Sequence, residues 1–235
     1  MKEPVETIVH QVFPVAVIQE QIDIHQSFKK EYFEDLKTEW FNGYENESPE
    51  NSGKSFIHLN EKYVDFFKSL KKSVNNYLTL LGVDTSKVNL HVTKSWVGYH
   101  NKDIPPLKIH NHNASDISFC YYLQCDETSD KFCVHPYKNY NEVSGGLFEV
   151  SDQNPILNST NYYNCDSYGI TPVEGSVLIF PSSLAHSTIK QANVSDRYVI
   201  AGDIKLTLKP EYYNHMQSIP HPSQWLDLEE YKTSK

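Results

Sequence analysis

The sequence predicts a mainly β protein with helices near its N-terminus, an α+β arrangement in which an antiparallel sandwich or barrel carries those helices on its outside. Three observations lead there. After Asp84 the hydrophobic period changes from about 3.6 to about 2, the helix and strand periods. Short alternating segments separated by Gly, Pro, Asn and Ser then follow one another with no helix between them. Two connections, 125–144 and 151–172, are too long for hairpins and are expected to cover a functional site.

In chain order, "TIVHQVFPVAVIQ" is β-branched and alternating enough for a strand, with Pro14 marking an edge or a break. "HQSFKKEYFEDLKTEW" predicts an amphipathic helix with Phe28, Tyr32, Phe33 and Leu36 on one stripe. A polar, turn-rich stretch separates it from the strongest helical pattern, in which Tyr63, Phe66, Phe67, Leu70, Val74, Tyr77, Leu78 and Leu81 recur before Gly82. Strands are expected at "NLHVTKSWVGYH", "ISFCYYLQ", "GGLFEV", "SVLIFP" and "RYVIAGDIKLTL". The implied organisation is an N-terminal strand and helices over 1–84, a β core over 85–210 and a C-terminal extension over 211–235.

Composition narrows the function classes. With 21 basic and 30 acidic residues the net charge is -9, and no basic run exceeds "KK", so neither nucleic acid nor an anionic membrane is an expected partner. The first residues lack the apolar core of a signal peptide and no apolar run nears the ~18 residues of a membrane span, so a soluble cytoplasmic protein is expected. Cys120, Cys125, Cys133 and Cys165 lack paired C-x-x-C spacing and read as reduced thiols. Sequons at Asn46, Asn113, Asn158 and Asn193 follow from an Asn-rich composition. Gly145 and Gly146 head no phosphate-loop pattern.

The chemistry concentrates around "KIHNHNASD". His110 and His112 stand at i and i+2, so on extended backbone both leave one face and can converge on one ion. Asp116 lies close behind. His186 follows a buried strand and a Pro-Ser turn, and Arg197 comes eleven residues later at the head of the last strand. Val199 and Ala201, on the face of Arg197, are small and leave room inside a barrel. A guanidinium there needs an anionic partner, which a carboxylate ligand would provide; a salt bridge to Asp196, Asp203 or Glu174 is the intramolecular alternative. His100 and His135 have no spacing argument and are expected at the surface. Trp96 suits either the core or a substrate cleft.

H-x-H, a "YYL" strand, "SGG", "P-x-E-G-x-V-L-I-F-P-S", a distal histidine and a trailing arginine resemble the iron(II)- and 2-oxoglutarate-dependent oxygenases, in particular a small prolyl-hydroxylase-like group of bacterial and phage proteins. The resemblance runs from about Ser95 to Asp203. It implies a double-stranded β-helix (a cupin-like jelly roll) using Fe(II), 2-oxoglutarate and O2 to hydroxylate a small-molecule or peptidyl substrate. It also implies His110, His112 and His186 as iron ligands, and Arg197 and Tyr122 as groups that bind 2-oxoglutarate. The wider superfamily has H-x-D or H-x-E where this chain has H-x-H. Either His112 replaces the carboxylate, which the i, i+2 spacing favours, or Asp116 swings in as the third ligand. Two other functions fit parts of the pattern: a three-histidine cupin dioxygenase without an oxoacid, and a non-enzymatic metal- or ligand-binding β-sandwich module.

Overall fold

In a computed structural model the structure describes residues 11–44, 56–138, 141–145, 159, 161–191, 196–212 and 219–228. Strand β1 (Ile18–Gln21) leads into helix α1 (His25–Tyr44) and then α2 (Val64–Leu80). Seven strands follow: β2 (Val88–His100), β3 (Ile117–Gln124), β4 (Lys131–His135), β5 (Tyr168–Ile170), β6 (Ser176–Pro181), β7 (Ala185–Ile189) and β8 (Arg197–Leu208). They form a five-stranded sheet in the order β1-β6-β3-β8-β2 and a three-stranded sheet in the order β5-β4-β7, every pairing antiparallel. Two facing antiparallel sheets with these crossovers make the expected double-stranded β-helix. Among the described residues no helix is long and apolar enough to cross a membrane.

The period-2 pattern sorts the five-stranded sheet into two faces. Phe119, Tyr121, Leu123, Val177, Ile179, Tyr198 and Ile200 join the core formed with α1 and α2. The alternate residues Tyr122, Leu178, Phe180 and Val199 point the other way, into a second cluster with Phe132 of the small sheet. Phe132 and Phe180, with ring centroids 4.9 Å apart, bridge the two sheets. The helices therefore close the outer face, and the inner face belongs to the barrel interior. Gly202 marks the tightest approach in the large sheet: a Cβ there would lie 2.5 Å from the carbonyl oxygen of Lys94 and 2.6 Å from the Phe119 ring.

Several expectations need correction. Residues 11–17 do not pair, and the first strand is confined to Ile18–Gln21 at the sheet edge; residues 7–10 lie outside the described part. The stripe of α2 is buried except at Phe67, which is partly buried, and at its end, where Leu81 is half exposed because the helix stops at Leu80 and Gly82 turns the chain at φ 77°. The connection 125–144 contains β4, and 151–172 contains β5, so each supplies a strand of the small sheet. The segment of His186 is itself a strand, β7. Most of "GGLFEV" lies outside the described residues.

Candidate active site

The two sheets bring the three histidines together. His110 and His186 form an antiparallel bridge, with the His186 amide donating to the His110 carbonyl (2.8 Å) and the His110 amide to the His186 carbonyl (3.0 Å). The His112 amide donates to the Ser182 carbonyl at 2.8 Å, fixing the H-x-H segment against the turn before β7. One ligand atom from each of the three rings lies within 4.8 Å of the others.

Hydrogen bonding decides which atoms those are. Nδ1 of His110 lies 2.7 Å from the carbonyl of Lys108, and Nδ1 of His186 lies 2.8 Å from that of Leu184. Nδ1 of His112 lies 2.6 Å from Oδ1 of Asp203. A carbonyl or carboxylate oxygen only accepts, so each Nδ1 carries a proton, and in the neutral imidazole the lone pair is then on Nε2. Three imidazoles braced at Nδ1 and offering Nε2 are the form a divalent metal takes. Burial, aided by the neighbouring histidines, holds the His186 imidazole down to about 4 and thus neutral.

The sequence reading weighed Asp203 only as a salt-bridge partner of Arg197 and missed its place beside His112. Asp203 is 3% exposed, and its Oδ1 also accepts from the Ser118 hydroxyl at 2.8 Å. Its signal was the alternation that picked out Arg197: positions 197, 199, 201 and 203 of β8 share one face. Asp116 stands apart from the histidines. Lys205 Nζ and the Leu206 amide each donate to one of its oxygens at 2.7 Å, so its carboxylate ties β3 to β8. The alternative ligand set is therefore not assembled. Trp96 lies at the cluster, half-buried, its ring centroid 5.9 Å from that of His112.

Deeper along the same inner face, Arg197 is 3% exposed. None of the three expected salt-bridge partners takes it: Asp196 accepts from the Tyr99 hydroxyl, Asp203 from His112, and Glu174 from Lys29. Its Nη1 donates to the backbone carbonyl of Asp130 at 2.8 Å, and its Nε has no partner. Opposite it in the β2–β8 ladder is His100, which is 5% exposed and so not the surface residue expected. Trp96, Gly98 and His100 alternate onto this face as 197 to 203 do, which was the available signal. His135 is half-buried, with Nε2 2.8 Å from the Ser187 hydroxyl.

His100 Nδ1, Tyr122 OH, Asp130 Oδ2 and Arg197 Nε are all buried without a hydrogen-bond partner. Each such atom costs roughly 1–3 kcal/mol, so their gathering in one place marks a site for a polar ligand. Cys120, between this pocket and the histidines, keeps some accessible surface although burial pushes its thiol up to about 11; that surface looks into the barrel interior. The donor set fits an anionic oxoacid reaching from the metal position to Arg197.

Residues 94–203, just under half of the chain, match the family described as "Putative 2OG-Fe(II) oxygenase". No curated protein matches the chain. Among solved structures it is similar to a prolyl-4-hydroxylase from Pseudomonas putida, at 10% identity over 81% of this chain and 88% of that one (TM-score 0.47). It is also similar to HygX from Streptomyces hygroscopicus with nickel and 2-oxoglutarate bound, at 12% identity over 81% and 82% (TM-score 0.47). A 2OG-Fe(II) oxygenase-family oxidoreductase from Burkholderia pseudomallei matches at 11% identity over 50% of this chain, and the match spans only 46% of that protein (TM-score 0.36).

Proposed function

We propose that this protein is an Fe(II)- and 2-oxoglutarate-dependent dioxygenase that couples oxidative decarboxylation of the oxoacid to hydroxylation of a small-molecule or peptidyl substrate. The observation that carries this reading is the pairing, inside one barrel, of three Nε2-presenting histidines with a buried arginine that has no carboxylate partner among the described residues.

His110, His112 and His186 would hold the iron, with His112 where the wider superfamily has a carboxylate. Bound iron supplies the open positions for oxoacid and dioxygen and the oxidising chemistry. Asp203, itself held by Ser118, keeps the His112 ring oriented and its Nδ1 protonated. Arg197 and the Tyr122 hydroxyl would bind the far carboxylate of 2-oxoglutarate. Leu178, Phe180 and Val199 exclude water from the path between. Trp96, whose ring centroid lies 5.9 Å from that of His112, flanks the histidines where a substrate would approach.

The test is anaerobic addition of Fe(II) and then 2-oxoglutarate. A weak visible charge-transfer band that needs both supports the proposal. Iron binding without the band leaves the oxoacid-independent dioxygenase, and no iron binding leaves the binding module. Substrate is then sought by stimulation of succinate formation.

A further inference from the structure

The small sheet carries a row of side chains across its inner face at the level of the histidine cluster. His110 bridges His186, His186 lies opposite Val134, and Val134 lies opposite Tyr168 of the edge strand β5. Residues directly opposite one another in antiparallel strands leave the same face of the sheet. The His186 ring shows which face this is, because it packs on Phe132 and Phe180 in the barrel interior. Tyr168 therefore stands on the inner face, two strand spacings from His186, a separation of roughly 10 Å. The next row holds Phe132 and Ile170, which pack into the inner cluster, and beyond it the Asp130 carbonyl accepts from Arg197. Tyr168 is thus on the side of the histidines away from the arginine, at the mouth of the barrel.

Tyr162 joins it there. The two ring centroids are 5.2 Å apart with planes inclined at 43°, and the hydroxyl oxygens are 3.4 Å apart. Both rings keep much of their surface, 42% for Tyr168 and 76% for Tyr162. One hydroxyl can donate to the other, so the larger unmet capacity of the pair is ring face. Such faces gain most from another ring, which adds offset or edge-to-face attraction to the burial of apolar area. Trp96, beside His112, supplies a second aromatic wall towards the His110 end of the row.

We propose that the substrate carries an aromatic ring that packs on Tyr168 and Tyr162 while the carbon to be oxidised, roughly 10 Å away, lies over the histidine cluster. This rests on the oxygenase reading above and narrows its substrate to an elongated molecule with a ring at one end. Tyr168 and Tyr162 act in specificity: they hold the far end of the molecule and so decide which of its carbons reaches the oxidising centre.

The measurement is proton relaxation of indole, used as the ring probe, in the presence of Mn(II)- and 2-oxoglutarate-loaded protein without oxygen, with Zn(II)-loaded protein as the diamagnetic reference. Relaxation by Mn(II) falls steeply with distance, and it is expected to place the indole ring roughly 10 Å from the ion. Tyr168→Ala and Tyr162→Ala should each weaken indole binding about tenfold. Tyr168→Phe keeps the ring and should bind indole as the wild type does. Cyclohexanol has no π face and should bind several-fold more weakly than indole. Indole binding that is absent, or unchanged in Tyr168→Ala, overturns the inference, as does equal binding of cyclohexanol. Mn(II) and 2-oxoglutarate affinities measured on the same samples report the folding of each variant. Wild type that binds both but shows no ring site overturns this inference alone, whereas wild type that binds no 2-oxoglutarate overturns the cosubstrate reading with it.

Discussion

The two ends of the barrel interior differ in how far their polar groups are satisfied. At the histidine end every Nδ1 has its acceptor, and Asp203 is held by two donors. At the arginine end four buried polar atoms have none. One end is pre-formed down to the tautomer, whereas the other is complete only when a ligand arrives. On the proposed reading, a pre-formed metal site and an incomplete cosubstrate site would make loading ordered, with metal first and oxoacid second.

The largest expected effect is at the incomplete end. Arg197→Ala forfeits a charge-assisted, partly desolvated contact of roughly 2–5 kcal/mol, lowering 2-oxoglutarate affinity by about 30-fold to several thousandfold. Iron affinity should barely change. Arg197→Lys keeps charge without the planar fork and should fall between. Separate anaerobic titrations of metal and oxoacid check this, and an Arg197→Ala protein that binds both normally would erase the contrast between the ends.

Next comes the histidine end. His186→Ala removes a ligand and should cost iron affinity more than about 100-fold, beyond the ~10–100-fold typical of an outer partner. Asp203→Asn should fall within that outer range, because His112 keeps its place but loses its charged acceptor. Asp116→Asn should leave iron affinity unchanged and affect only stability. If Asp116→Asn weakened iron more than His112→Ala does, the carboxylate would be the third ligand after all.

The smallest effect is on stability. His100 is held at about 3 when folded, against an ordinary value of about 6.5 when unfolded. Below about 6.5 the unfolded chain binds the proton and the folded one does not, so stability is complete above that value and declines as the pH falls. At pH 5.5 this one group accounts for about 1.4 kcal/mol. Burial lowers His25 and His58 in the same direction. A fall in Tm of the metal-free protein between pH 7.5 and 5.5, shallower in His100→Gln, is the expected result.

The helices and the long strands were legible because burial on one face imposes a period: Phe119, Tyr121 and Leu123 alternate with Ser118, Cys120 and Tyr122 whatever lies around them. Strands β4, β5 and β7 were not, since at three to five residues each they are too short to show a period. Their place is set by pairing with one another across the chain. The histidines and Arg197 carried their own chemical signal. Asp203 and His100 lay on faces already identified through Arg197 and Trp96, and following each alternation by a few more residues would have found them. Asp130 had no such signal, because its burial follows from its backbone carbonyl meeting Arg197 67 positions away.

The three histidines differ in exposure: His110 is open to solvent, His112 half-buried and His186 buried. An ion arriving from water would meet the His110 ring first, and on the proposed ligand set it would leave by the reverse path. Release would begin at the inner histidines, with His110 left holding the ion at the rim where a chelator could reach it. Exchange with a competing chelator should then proceed through a ternary species, its rate rising with chelator concentration instead of levelling at a fixed unassisted off-rate.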